Sequence, residues 1–194
     1  MRRLLLVLFL SGALLNKSAA QDHKNSISVG YGLLTFQDVA SVTSDIIISS
    51  ATDIDEADVT SSGVLYVEYS HYWTNHWRLV VNANYISVKS KLVQKADGQL
   101  YGNSHDHYYS LMAGVNYHWI GDAFVELYSG LQIGGSIVNT DQTYVSGDAA
   151  SDSFLFPAFQ VTALGVRIGK KLGGFAELGF GNKGILNVGI DLRF

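Results

Sequence analysis

The stretch GILNVGIDLRF, residues 184–194, alternates without a break: Leu186, Val188, Ile190, Leu192 and Phe194 fall on one side of an extended chain, and Asn187, Gly189, Asp191 and Arg193 on the other. A repeat of two is what a β-strand shows when its faces meet different media, because successive side chains point to opposite sides. In a water-soluble sandwich or barrel the apolar set turns inward. In a bilayer the assignment reverses, with the apolar set against lipid and the polar set lining the interior.

Upstream of this stretch the same period recurs seven times: at 26–34 (SISVGYGLL), 63–73, 77–88, 107–119, 123–135, 154–170 and 173–181. No helical period competes with it. Pro157 lies near the start of the sixth segment, where an edge or bulge tolerates a missing N–H. Composition then chooses between the two media. Charged residues make up 15% of the chain against 47% apolar, too few to furnish the wet outer face of a soluble barrel with eight amphipathic strands. The absence of cysteine excludes disulfides and thiolate-held metals, and a net charge of −4 argues against a nucleic-acid partner.

Residues 1–20, MRRLLLVLFLSGALLNKSAA, stand apart from this pattern. A basic pair at Arg2 and Arg3, an apolar run from Leu4 to Leu15, and small residues Ser18 and Ala20 form a cleavable secretory signal peptide. Its removal leaves residues 21–194 as one domain with 10 basic and 17 acidic residues, a net charge of −7.

The connections alternate in length. Residues 74–76, 120–122 and 171–173 make short turns, whereas about 35–60, 89–106 and 136–153 are long, with a short GNKG turn at 181–184 as the exception. Short turns at one end and long loops at the other predict an all-β, eight-stranded antiparallel up-and-down transmembrane β-barrel in the cell outer membrane, with N- and C-termini periplasmic. Closure is required because an open sheet leaves edge N–H and C=O groups unpaired in lipid.

On this parity Glu68, Arg78, Glu126, Arg167, Glu177, Asp191 and Arg193 point inward, an interior polar network of four acids and three arginines able to pair across a lumen that eight strands leave just wide enough to fill. Tyr66, Tyr108, Met112 and Phe124 share the inward parity and obstruct a water path. Trp73, Trp77 and Trp119 fall beside the short turns, with Tyr69 and Tyr117 nearby, as an aromatic girdle at the periplasmic interface requires; Tyr31, Tyr109, Phe154 and Phe180 are placed for the opposite belt.

With its export signal, its eight alternating segments and LNVGIDLRF at the C-terminus, the chain resembles the small porin-like outer-membrane β-barrel family, in the class of OmpX and the OmpA transmembrane domain. The stretch EYSHYWTNHWRLVVNANY at 68–85 resembles a strand-turn-strand of Bacteroidetes-type barrels. The resemblance implies that Leu186, Val188, Ile190, Leu192 and Phe194 form the signal read by the barrel-assembly machinery, and that outer-membrane lipids and lipopolysaccharide are its surroundings. No peptidoglycan-binding domain follows Phe194, so an OmpA-like cell-wall tether is not expected.

Barrels of this size also include lipid A deacylases and palmitoyltransferases. The His-x-Ser placement of the deacylases is absent, and Ser70 and His71, being adjacent, point to opposite faces. Ser104, His105, Asp106 and His107 lie together at the external end of the fourth strand and are the one candidate for acyl transfer. His105 with His107, or Asp53, Asp55, Glu56 and Asp58, are candidates for a divalent cation, though no EF-hand spacing is present and no metal or cofactor is assigned. The three long connections hold 11 acidic residues and read as hydrated, flexible surface loops. The expectation is therefore an outer-membrane protein with a structural or surface-interaction role, possible contact with a surface ligand at the long loops, and no catalysis. The alternatives are a narrow solute channel and a lipid A-modifying acyl hydrolase or acyltransferase.

Overall fold

The computed structural model describes residues 24–34, 54–94, 99–120, 124–146 and 149–194, with the backbone alone for 54–57 and 94. The expected signal peptide at 1–20 and most of the first expected long connection lie outside these residues. Eight antiparallel strands follow in chain order: β1 (Asn25–Leu33), β2 (Ile54–Tyr72), β3 (Trp77–Gln94), β4 (Leu100–Ile120), β5 (Val125–Tyr144), β6 (Ala149–Gly169), β7 (Leu172–Gly181) and β8 (Leu186–Arg193). Each pairs with its neighbours in sequence, and β1 pairs with β8 to close the ring. No helix occurs among the described residues.

Burial runs opposite to that of a soluble barrel. Leu186, Val188, Ile190, Leu192 and Phe194 are between 40% and 61% exposed, whereas Asn187, Asp191 and Arg193 are buried. Among the largest fully buried side chains are Arg167 and Lys183. An apolar exterior around a charged interior is stable only where the outer medium is itself apolar.

The strands are longer than their hydrophobic alternation suggests. The expected connections at 89–106 and 136–153 are largely strand: β3 and β4 remain paired to Val93↔Leu100, and β5 and β6 to Thr143↔Ala149. The second part of the first expected connection belongs to β2, which starts at Ile54. The physical reason is that Ser-, Thr- and Asp-rich segments outside lipid lose their apolar stripe but not their backbone ladder, and a ladder satisfies N–H and C=O groups whatever the side chains.

Strand lengths make the rim oblique. Among the described residues, β1 pairs with β2 only as far as Gly32↔Val64, and β7 with β6 only as far as Gln160↔Gly181. Above those points β2 to β6 continue as a five-stranded sheet. Among the described residues no strand pairs with β6 from Ala149 to Phe159 on its outer side. The polarity of that edge can be read from Phe159, whose N–H donates to Asn182 Oδ1 and whose C=O accepts from the Asn182 N–H. By alternation, the missing N–H of Pro157 faces the same open side, where no ladder needs it.

Candidate functional site

The interior side chains gather into two groups. Toward the end carrying the termini, Arg193 Nη2 donates to Glu126 Oε2 at 2.5 Å and Arg167 Nε to Asp191 Oδ1 at 2.7 Å. Tyr72 OH donates to Glu126 Oε2 at 3.0 Å, His118 Nδ1 lies 3.4 Å from the same oxygen, and Arg167 Nη1 lies 3.8 Å from Glu126 Oε1. Arg78 places its guanidinium carbon 4.3 Å from the centroid of the Tyr72 ring, a cation–π contact. The remaining Arg167 donors are taken by the Gly169 and Lys170 carbonyls, which tie the β6–β7 turn to the lumen.

The second group is built around a residue that strand parity does not reveal. Lys183 sits in the β7–β8 turn, which folds into the barrel mouth and leaves Asn182 and Lys183 buried. Its Nζ lies 3.1 Å from Glu68 Oε2 and 2.9 Å from Glu177 Oε2, and 4.6 Å above the Tyr66 ring. Gln132 Nε2 donates to Glu68 at 3.0 Å, and Tyr128 OH to Glu177 at 2.8 Å. The turn is pinned in place: the Lys183 N–H donates to Gln160 Oε1 at 2.8 Å, and Gln160 and Asn187 both donate to the Gly184 carbonyl. Gly184, at φ +103, supplies the backbone bend.

All seven residues of the expected interior network are therefore brought inside. Lys183, Tyr72, His118, Tyr128 and Gln132 complete them. A charge count signals the lysine: four inward acids against three arginines leave one negative charge over, and Lys183 supplies the fourth cation. Close packing fills the rest, as where the Tyr66 ring lies over Gly30 and the Tyr128 ring over Gly165, in the space a Cβ would occupy. Changing Gly165 to Leu is expected to cost about 1–3 kcal/mol by overpacking, measured as a lower urea midpoint for unfolding from lipid vesicles. An unchanged midpoint would show that Tyr128 has room to move.

Two aromatic placements need correction. Phe124 precedes β5 and is exposed rather than inward. Phe154 does not join an outer belt. It lies on the inner face of the protruding sheet, lining a cavity of about 500 Å³ with Ser104, Asp106, Tyr108, Thr140, Gln142, Asp152 and Ser153. The tryptophans are at the surface beside the turns: Tyr117 makes edge-on contacts with Trp77 and Trp119 at centroid distances of 5.0 Å each, while Trp73 lies in the tight turn closed by its N–H to the Trp77 carbonyl.

Ser104, His105, Asp106 and His107 do not assemble. Ser104 and Asp106 face the inner cavity, whereas the two histidines occupy the outer face, as alternation on β4 demands. A serine does meet a histidine there, Ser87 Oγ lying 2.8 Å from His105 Nε2, but this pair lies on the opposite face of the sheet from Ser104 and Asp106. Of the acids expected as cation ligands, Asp53 and the side chains of Asp55 and Glu56 lie outside the described residues. Asp58 is paired with Lys91 at 2.8 Å, which holds its carboxyl below the ordinary value. That contribution is present above the unfolded-state pKa and is lost as pH falls through the folded one; both partners being exposed, it is small. No group of three or more His, Asp or Glu is placed to hold a metal among the described residues.

Against known proteins, no family description and no curated sequence matches the chain. Its fold is similar to the crystal structure of Ail, the attachment invasion locus protein of Yersinia pestis, in complex with the heparin analogue sucrose octasulfate. That likeness has 15% sequence identity and a TM-score of 0.46, covering 89% of this chain and 96% of that one.

Proposed function

We propose that this chain is an integral outer-membrane barrel of the small OmpX and OmpA-transmembrane-domain class, exported by residues 1–20, with both termini periplasmic and a sealed interior, and that its role is to hold a β-sheet at the cell surface for contact with a ligand. The stretch 68–85 supports a Bacteroidetes-type member. The apolar exterior, the tryptophans at the turn end and the terminal Phe194 support membrane placement and delivery by the barrel-assembly machinery among outer-membrane lipids and lipopolysaccharide.

The observation that carries the surface role is the protruding part of β2 to β6 with the outer edge of β6 from Ala149 to Ala158, to which no strand is paired among the described residues. A row of free N–H and C=O groups accepts an added strand, so the partner it fits is an extended peptide segment. Beside that edge Asp106, Thr140 and Asp152 share one row of the inner face above Phe154, two carboxylates over an aromatic ring, which favours a segment bearing a basic side chain. The test is capture of arrayed peptides by the folded barrel in detergent micelles. Replacing Ser153 with Pro removes an edge donor of the same polarity as Pro157 and is expected to abolish capture of basic extended peptides; equal capture by S153P refutes the reading.

Sealing is tested separately. In planar bilayers the protein is expected to give no unitary conductance steps, because ion-paired side chains fill the lumen. Stable steps would instead establish the solute-channel alternative.

A further inference from the structure

Two histidines on the outer face of β4, which neither the lumen nor the proposed peptide edge uses, sit in an arrangement that resembles half of a metal centre. His105 and His107 are two residues apart on one strand and so share a face, with ring centroids 4.2 Å apart. Each has one ring nitrogen held by a hydroxyl on β3: His105 Nε2 by Ser87 Oγ at 2.8 Å, and His107 Nδ1 by Tyr85 OH at 2.8 Å. That is the outer-shell pattern of ligating imidazoles, in which a hydrogen bond to one nitrogen fixes the ring and its tautomer and leaves the other nitrogen as the donor to an ion. The Tyr85 ring stacks on His107 at an interplanar angle of 17°, adding to the restraint.

The charges around the pair are balanced. Lys89 stands opposite His105 on β3, and Asp141 stands opposite it on β5, its carboxylate already accepting from Ser151 Oγ at 2.8 Å.

We propose that His105 and His107 together bind one borderline-soft divalent cation, Zn²⁺ or Cu²⁺, at the outer surface of the barrel, with Ser87 and Tyr85 as positioning residues, Asp141 as the neighbouring counter-charge and water completing the coordination. Imidazole pairs suit Zn²⁺ and Cu²⁺ and discriminate against Mg²⁺ and Ca²⁺, which prefer oxygen. The site is independent of the peptide-binding reading, since it lies on the opposite face of the sheet from Asp106 and Phe154.

The test uses full-length mature barrel folded in detergent micelles, titrated with Zn²⁺ by calorimetry and with Cu²⁺ by electron paramagnetic resonance. The expected result is one equivalent of metal with nitrogen hyperfine structure from two imidazoles, undisturbed by excess Mg²⁺. It is absent in the H105N/H107N double variant and retained when His71 and His76 are changed to Asn. Tyr85→Phe, which keeps both ligands, is expected to weaken binding about ten-fold. Folding of every variant is checked by the heat-dependent gel shift. One-equivalent binding that survives H105N/H107N, or displacement by Mg²⁺, overturns the proposal.

Discussion

Replacing Lys183 with Met is expected to destabilise the folded barrel by about 3–5 kcal/mol, the range seen when one partner of a buried ion pair is removed and the other is left uncompensated. The effect belongs at the top of that range because this ammonium serves two carboxylates at once, Glu68 and Glu177, both of them buried. The measurement is the urea midpoint for unfolding from lipid vesicles. Its control is the triple variant K183M/E68Q/E177Q. With the charges removed together the amides still bond to Gln132 and Tyr128, so most of the lost stability is expected to return. A single variant as stable as the parent would mean that water enters the lumen freely and screens the pair.

Glu126→Ala is expected to cost a similar amount, about 3–5 kcal/mol, for a different reason. Glu126 accepts from Arg193 and Tyr72, faces His118, and stands 3.8 Å from Arg167, so its loss leaves two guanidiniums sharing Asp191 alone. Glu126→Gln preserves the hydrogen-bonding shape and removes only the charge; the difference between the two variants separates electrostatic from packing contributions. Because this group lies at the end with the termini and the Lys183 group near the β7–β8 turn, the two losses are expected to add. Strong non-additivity would show that the interior acts as one network.

Much of the barrel was readable from parity alone. The alternation at 184–194 separates Leu186 from Asn187 as sharply in the structure as in the sequence, since the two faces meet opposite media over the whole length of β8. Where the outer medium changes to water the contrast fades, and that is why residues 89–106 and 136–153 read as loops although most of them are strand. Val88 and Lys89 still alternate, but around them Ser, Thr, Asn and Asp fall on both faces. The inward charges on strands were legible because a charge on a lipid-facing parity has no place to go. Lys183 was not, since a turn has no parity, and only the unbalanced count of acids and arginines pointed to a missing cation. The separation of Ser104 and Asp106 from His105 and His107 was already implied by their adjacency in a strand.

The oblique rim has a consequence for how such a protein can change. Closure depends on β1, β7 and β8, which are short, and on the lower halves of the other strands, whereas the height of the displayed sheet is set where β3 ends at Gln94 and β4 starts at Leu100, and where β5 ends at Tyr144 and β6 starts at Ala149, far from any closing pair. Adding or removing a matched pair of residues on the two arms of either hairpin lengthens or shortens the exposed sheet without shifting a side chain in the lumen. Anchorage and reach are thus separate variables, and sequence divergence concentrated in the upper hairpins can retarget the surface while the same ion-paired plug keeps the barrel shut.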